Sequence, residues 1–410
     1  MGERTDGPID QLLTRWANDE RLAIVFEGTE VTYGQLADRV DVVGSGLASA
    51  GLGHSDRVVF CGLNRVELIE TLLACCRIGA VFCPINNRLT PAEIAVLLAD
   101  CRPTLCLATD GFDEALLAAA ALLDENSRIE ADAIVDLETG SPQSVAAAER
   151  GSHNEVSQGD PALMVYTSGT TGAPKGAVHT QASLLATWQN SIDHQQLTGD
   201  DCIVAPLPTF HVGGLNIQTL PTLFVGGTVV LERRFDPGAV LHAIGAYRAT
   251  QTVLVPAMLA AVAAHPDFES TDFSSLVGIN SGSSIVPEAV MRPFFDRGVP
   301  VGQVYGTTET GPTAVVLDYP EAAARIGSCG RPATLTELRI VDPSGHDVED
   351  GTDGELWVRG PNVFSHYWEK PEATEAAFAD GWFRTGDVGH RDADGFVTIA
   401  DRVTDVIISG

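Results

Sequence analysis

The residues with the clearest chemical promise lie at 166–176, Tyr-Thr-Ser-Gly-Thr-Thr-Gly-Ala-Pro-Lys-Gly, directly after the apolar run ALMVY. Glycines let a backbone turn tightly and approach a ligand closely. Thr167, Ser168, Thr170 and Thr171 supply hydroxyls, Gly169 and Gly172 the turns, and Lys175 a mobile positive charge. That set suits an anionic polyphosphate. It is not a Walker A loop, because Pro174 precedes Lys175 and Gly176 follows it, where Gly-Lys-Ser/Thr is needed. A Gly-Ser-Thr tract alone would read as an ordinary loop. Here the lysine argues otherwise, since the chain's only two lysines are Lys175 and Lys370 and its other cationic residues are Arg.

Three further stretches carry polar groups at points where the backbone is open. PLPTFHVGG (206–214) places one imidazole, His211, before two glycines. VYGTTETG (304–311) sets one carboxylate, Glu309, among threonines at the end of an apolar run, which suits a hard cation that keeps most of its waters. GWFRTGDVG (381–389) offers Asp387, whose carboxylate can accept from both hydroxyls of a vicinal diol.

Together these motifs closely resemble those of the acyl-adenylate-forming enzymes, which include acyl-CoA synthetases, luciferases and peptide-synthetase adenylation domains. The resemblance runs through essentially the whole chain in the right order. It implies that the 167–175 loop, with Thr167, Ser168, Gly169, Thr170, Thr171, Gly172 and Lys175, holds the phosphates of ATP. His211 would orient the carboxylate substrate or gate its tunnel. Tyr305 would stack on adenine beside Gly306, Thr308 would bond the α-phosphate, and Glu309 would bind Mg²⁺. Ser281, Gly282 and Ser283 stand where the family has Gly-Gly-Ala along adenine, a departure that alters the acyl-side wall. Asp387 and Arg402 would bind the ribose, with Arg402 also within reach of phosphate. The groups expected to take part in the chemistry are Lys175, His211, Thr308 and Glu309.

The reaction implied has two halves. A carboxylate oxygen attacks the α-phosphorus of ATP and pyrophosphate leaves; a thiol, usually that of coenzyme A, then displaces AMP. The stretch TFHVGGLNIQTL carries no acid to hold a substrate ammonium, so a plain carboxylic acid, fatty or aryl, is expected. Two other readings stay open: an acyl-AMP ligase that delivers to a carrier protein, and a non-catalytic nucleotide- or acyl-binding module.

These residues need a scaffold, and the sequence predicts one. Runs such as RVVFCGL, VFCPI, TLCLAT, AIVDL, ALMVYT, CIVAPL, TVVLE, QTVLVPA, SLVGIN and VGQVYG alternate with helical patterns, including Val66 to Ile78 and a helix opened by the capping box Thr90-Pro91-Ala92-Glu93. The expected class is α/β: two doubly wound, mostly parallel sheets packed with helices. After about residue 325, ELRIVD, GELWVRG and GFVTIAD, separated by DPSG, EDGTDG and DADG, predict a small antiparallel β-barrel lobe. The polar stretch 139–160 reads as a surface connection, and Lys370 as a surface residue near a helix start.

The expected organisation is a large N-terminal domain over 1–400, with α/β lobes to about 324 and the β-rich lobe over about 325–400. Residues 401–410 would begin a hinge. Relatives continue from that hinge into a smaller domain carrying a second lysine, so a trimmed large domain is expected, with adenylation slowed by ~10²–10³ and much of the thiol site missing.

Composition bounds the rest. The chain has 410 residues, 55 Asp+Glu against 25 Lys+Arg and a net charge of −30. That disfavours nucleic acid and anionic membrane surfaces as partners. No apolar run is long enough to span a bilayer, the N-terminus shows no secretory h-region, and the eight cysteines lack metal or disulfide spacing. A cytoplasmic enzyme is expected, with ATP, Mg²⁺ and coenzyme A as cofactors and co-substrate and a small carboxylic acid as substrate; the sequence is equally compatible with a homo-oligomer.

Overall fold

A computed structural model describes residues 9–125, 127–137, 156–167 and 173–402. The chain divides into two compact units. The first comprises residues 1–182, 208–211 and 365–370; the second comprises 183–207, 212–364 and 371–410.

The first unit is built on a 7-stranded sheet, in the order 366–367, 175–180, 161–167, 81–84, 57–61, 105–108, 134–136. Its members from 161–167 to 134–136 are mutually parallel, and the central ones are rich in Val, Phe, Leu and Cys, as strands covered on both faces must be. Strands 161–167 and 175–180 pair antiparallel, so the phosphate-loop motif spans a hairpin in which Thr167 lies opposite Lys175. The helix Val66–Ile78 ends at Gly79 with φ +77°, a left-handed cap that a Cβ would strain. It is buried nearly all round, Glu70 and Thr71 included. The helix Pro91–Cys101 opens with the expected capping box: Thr90 Oγ1 accepts from Glu93 N–H, and Glu93 accepts from Thr90 N–H at 2.8 Å. Cys61, Cys83, Cys101 and Cys106 pack into the aliphatic core, and burial pushes the Cys61 and Cys101 thiols up to about 12.

In the second unit, strands run in the order 331–332, 315–317, 301–305, 278–281, 251–253, 202–205, 228–231. The members from 301–305 to 228–231 are mutually parallel, and 315–317 and 331–332 close that edge antiparallel. The carboxyl ends of these parallel strands therefore point the same way, bringing Leu207, Val253, Ser281 and Tyr305 to one edge, where open α/β sheets bind ligands. A 5-stranded antiparallel sheet joins 337–341, 354–359, 382–391, 378–379 and 397–402. The expected turn-rich strands after 325 are all present, and they lie within the second unit. On this sheet Arg359 lies 4.3 Å from the Trp382 ring centre and Arg384 5.7 Å from that of Trp357, so arginines cover the tryptophans.

Of the polar stretch 139–160, residues 139–155 lie outside the described residues. Lys370 corrects one reading: it pairs with Asp100 and is half-buried, one residue before the helix Pro371–Ala377. Among the described residues no helix is long and apolar enough to cross a membrane.

Candidate active site

Each candidate side chain is set by the local backbone. Tyr305 ends strand Val301–Tyr305, and its hydroxyl donates to Asp387 Oδ2 at 2.8 Å. Asp387 is buried. Its own N–H is held by Thr385 Oγ1 at 3.1 Å, and Thr385 in turn donates to the Leu356 carbonyl. Burial, reinforced by the neighbouring Asp387 charge, pushes the Tyr305 phenol well above its ordinary value, so it stays a donor. Residues 82 apart in sequence thus meet through one hydrogen bond, as a shared nucleoside site would require. Strand pairing sets Arg402 opposite Asp387.

The segment after Tyr305 is a closed turn. Thr307 N–H donates to Thr310 Oγ1 at 2.8 Å, and Thr310 N–H donates back to Thr307 Oγ1 at 3.3 Å. Thr307, given no role from sequence, therefore shapes the turn that carries Thr308 and Glu309. The Glu309 carbonyl is fixed by Phe364 N–H at 2.7 Å, and Thr310's by Asn362. Gly306 is required here, because a Cβ would lie 2.3 Å from the Gly311 carbonyl. Gly282 is required for the same reason, with the Val304 carbonyl 2.3 Å from a would-be Cβ. Ser281 is fully buried and its Oγ has no partner among the described residues; Ser283 is exposed, with φ +70°.

Lys175 and His211 belong to the first unit. Lys175 opens strand Lys175–Thr180, with Nζ 5.1 Å from the Tyr367 ring centre, and its carbonyl accepts from Thr167 Oγ1. Ser168, Gly169, Thr170, Thr171 and Gly172 lie outside the described residues. His211 sits on a turn closed by its own N–H to the Pro208 carbonyl at 3.2 Å. That turn is pinned by Asn64, whose Oδ1 accepts from Thr209 N–H at 2.8 Å and from Thr209 Oγ1 at 2.9 Å. Asn64 is buried, and sequence reasoning missed it; its signal is an amide at the end of a strand where the chain should only be turning. The surrounding protein desolvates the imidazolium, and the Arg88 charge adds to this, holding His211 below its usual range and so neutral at pH 7.

Among the described residues no group of three or more His, Cys, Asp or Glu converges on a metal position. A lone carboxylate such as Glu309 still fits Mg²⁺, which commonly takes one or two protein carboxylates and fills its shell with water and substrate phosphate.

Comparison with known proteins agrees with this frame. Residues 13–368 match the AMP-binding enzyme family. An indoleacetate–CoA ligase of Aromatoleum aromaticum is 43% identical over 394 residues, covering 95% of this chain and 77% of that one. A feruloyl-CoA synthase of an Amycolatopsis species is 40% identical over 388 residues, with the same coverage of 95% and 77%. Among solved structures, the inhibitor-bound N-terminal domain of FACL13 from Mycobacterium tuberculosis superposes with a TM-score of 0.89 at 27% identity, over 97% of this chain and 100% of that domain. ATP-bound MatB from Rhodopseudomonas palustris gives 0.87 at 29%, over 97% and 80%. The chain belongs to the AMP-binding enzyme family, within the branch whose members are AMP-forming acid–thiol ligases. Such enzymes activate an acid with ATP and then thioesterify it to coenzyme A.

Proposed function

We propose that this chain carries the adenylate-forming site of a ligase for an aryl or fatty acid. An aryl acid is favoured by the relatives named for indoleacetate and ferulate. The observation that carries the reading is the Tyr305–Asp387 pair: an aromatic ring and a buried carboxylate fixed together at the carboxyl edge of a parallel sheet. A carboxylate accepts from both ribose hydroxyls, and the ring offers a face for adenine. Thr308 and Glu309 follow on a turn locked by Thr307 and Thr310. Thr308 donates to the α-phosphate, and Lys175, with the 168–172 loop, holds the phosphates. Arg402 completes the ribose contacts, while Ser281, Gly282 and Ser283 line the adenine. When bound through Glu309, Mg²⁺ supplies positive charge to the phosphates.

The chemistry brings anions together. A substrate carboxylate oxygen attacks the α-phosphorus and the bond to pyrophosphate breaks, giving acyl-adenylate. Lysine, hydroxyls and loop amides then stabilise charge that grows in the transition state. No protein nucleophile is required. His211, neutral at pH 7, adds no second positive charge and serves to orient the carboxylate. A cytoplasmic setting is part of this reading, supported by cysteines that are all unpaired and almost all buried.

The test is ATP–pyrophosphate exchange over a panel of aryl and fatty acids, with coenzyme A thioester formation measured alongside. Acid-dependent exchange supports adenylation. Nucleotide binding with no exchange for any acid would favour a binding module instead.

A further inference from the structure

A small cavity in the second unit is walled by Leu207, Gly213, Gly214, Val253, Thr219 and Gln218. Its glycines are the two that follow His211 in sequence. Around it pack Ile217, Val304 and Met258, so the lining is apolar with one exception that is not spent on the fold. Thr219 donates its hydroxyl to the Gly214 carbonyl at 2.6 Å. Gln218 is 3% exposed, and its Oε1 has no hydrogen-bond partner among the described residues.

The orientation of that amide is fixed by a chain of bonds that begins at backbone. Gln195 Nε2 donates to the carbonyls of Ile217 at 2.7 Å and Ser191 at 3.2 Å. Carbonyls only accept, so Gln195 must present its Oε1 the other way. That oxygen accepts from Asn280 Nδ2 at 2.9 Å and from Gln218 Nε2 at 2.6 Å. Asn280 is held in turn by Tyr319 and by His194, whose other nitrogen meets Asp318. Gln218 therefore cannot flip its amide without setting oxygen against oxygen. Its acceptor faces away from the network, without a partner among the described residues. A buried acceptor left unmade costs about 1–3 kcal/mol, so one held in place by so many partners asks for an occupant.

Resting on the ligase reading above, we infer that Gln218 determines acid specificity: its Oε1 accepts a hydrogen bond from a neutral N–H or O–H on the substrate's ring. The donor is neutral because among the described residues no ionisable side chain lines the cavity, and a cation there would be buried without a counter-charge. The rest of the acyl group is apolar to match Leu207 and Val253. Indole and phenol rings have this chemistry; plain alkyl chains do not.

The experiment compares isosteric acids in ATP–pyrophosphate exchange: indole-3-acetate against benzothiophene-3-acetate, and 4-hydroxycinnamate against 4-methylcinnamate. Wild type should favour the donor-bearing member of at least one pair by about 10–100-fold in kcat/KM, the range expected when a buried acceptor is left unpaired. In Gln218→Met that ratio should collapse toward one, with thermal unfolding checking that the variant is folded. Equal use of both members by wild type overturns the inference whatever the variant does. So does a ratio that survives in folded Gln218→Met. Exchange with no acid at all would sink the ligase reading instead. The same pairs are then compared by calorimetric binding, where a donor preference lost in Gln218→Met upholds the role of Gln218 and equal affinities overturn it.

Discussion

Asp387 and Tyr305 invite separate tests because they differ in what they would touch. Asp387→Asn keeps the volume and the bond from Tyr305 but replaces one acceptor oxygen with a donor and removes the charge. A hydrogen bond to a charged group contributes about 1.5–3 kcal/mol, so ATP should bind about 10–100-fold more weakly, with little change in the acid's KM. Tyr305→Phe keeps the ring for stacking and removes only the hydroxyl that positions Asp387. It should weaken ATP about tenfold or less, and combining the two should cost less than the sum, since they share one bond. Calorimetric titration of ATP on the three variants decides. Full additivity would mean that the pair does not act as one unit.

At the scale of elements, helix Val66–Ile78 carries a liability that its pattern hid. Glu70 is buried on it and pushed up to about 7, chiefly by burial, despite an ion pair with Arg39 at 3.3 Å. The folded protein therefore holds this proton between about pH 4.5 and 7, where the unfolded chain has released it. Stability from this group is full below the unfolded value and lost as pH rises through the folded one. Glu70→Gln should gain on the order of 2–3 kcal/mol over wild type at pH 8, and little at pH 4.5. Urea unfolding at the two pH values measures the difference. A second element-level prediction concerns the turn bearing His211. Asn64→Ala removes both bonds to Thr209 and should destabilise the protein by about 1–3 kcal/mol while raising KM for the acid more than that for ATP. Parallel rises in both constants would show that Asn64 supports the fold and not the turn.

These two cases also mark where sequence was legible. RVVFC, VFCP, LCLA and CIVA are strands because apolar β-branched, aromatic and thiol side chains tolerate burial on both faces, and that preference is local. The Thr90 cap is local as well. The Tyr305–Asp387 bond, the Asn64 pin and the Gln195–Asn280–Gln218 network join residues far apart in the chain. Their sequence neighbourhoods say nothing of each other, and motif resemblance reached only the first. Buried amides leave no periodic trace, so the polar skeleton behind the Gln218 cavity appeared only in three dimensions.

For the whole molecule, the charge sets a condition on every substrate. With 55 acidic against 25 basic side chains, the long-range field of this chain is negative, while ATP, coenzyme A and the acid are all anions. Exposed pairs such as Arg359–Glu337 and Arg391–Asp350 use up much of the basic complement locally. On the proposed reading, attraction is then short-ranged, from Lys175 and from Mg²⁺ when Glu309 holds it, inside a repulsive envelope. Salt screens the envelope more than the close contacts, because the Debye length falls from roughly 30 Å at 0.01 M to about 8 Å at 0.15 M. Association of ATP should therefore accelerate as ionic strength rises over that range, opposite to the behaviour of a basic nucleotide-binding surface. Stopped-flow binding with a fluorescent ATP analogue, at constant free Mg²⁺, reads this directly. A rate that falls with salt would mean that the site's own field outweighs the −30 charge around it.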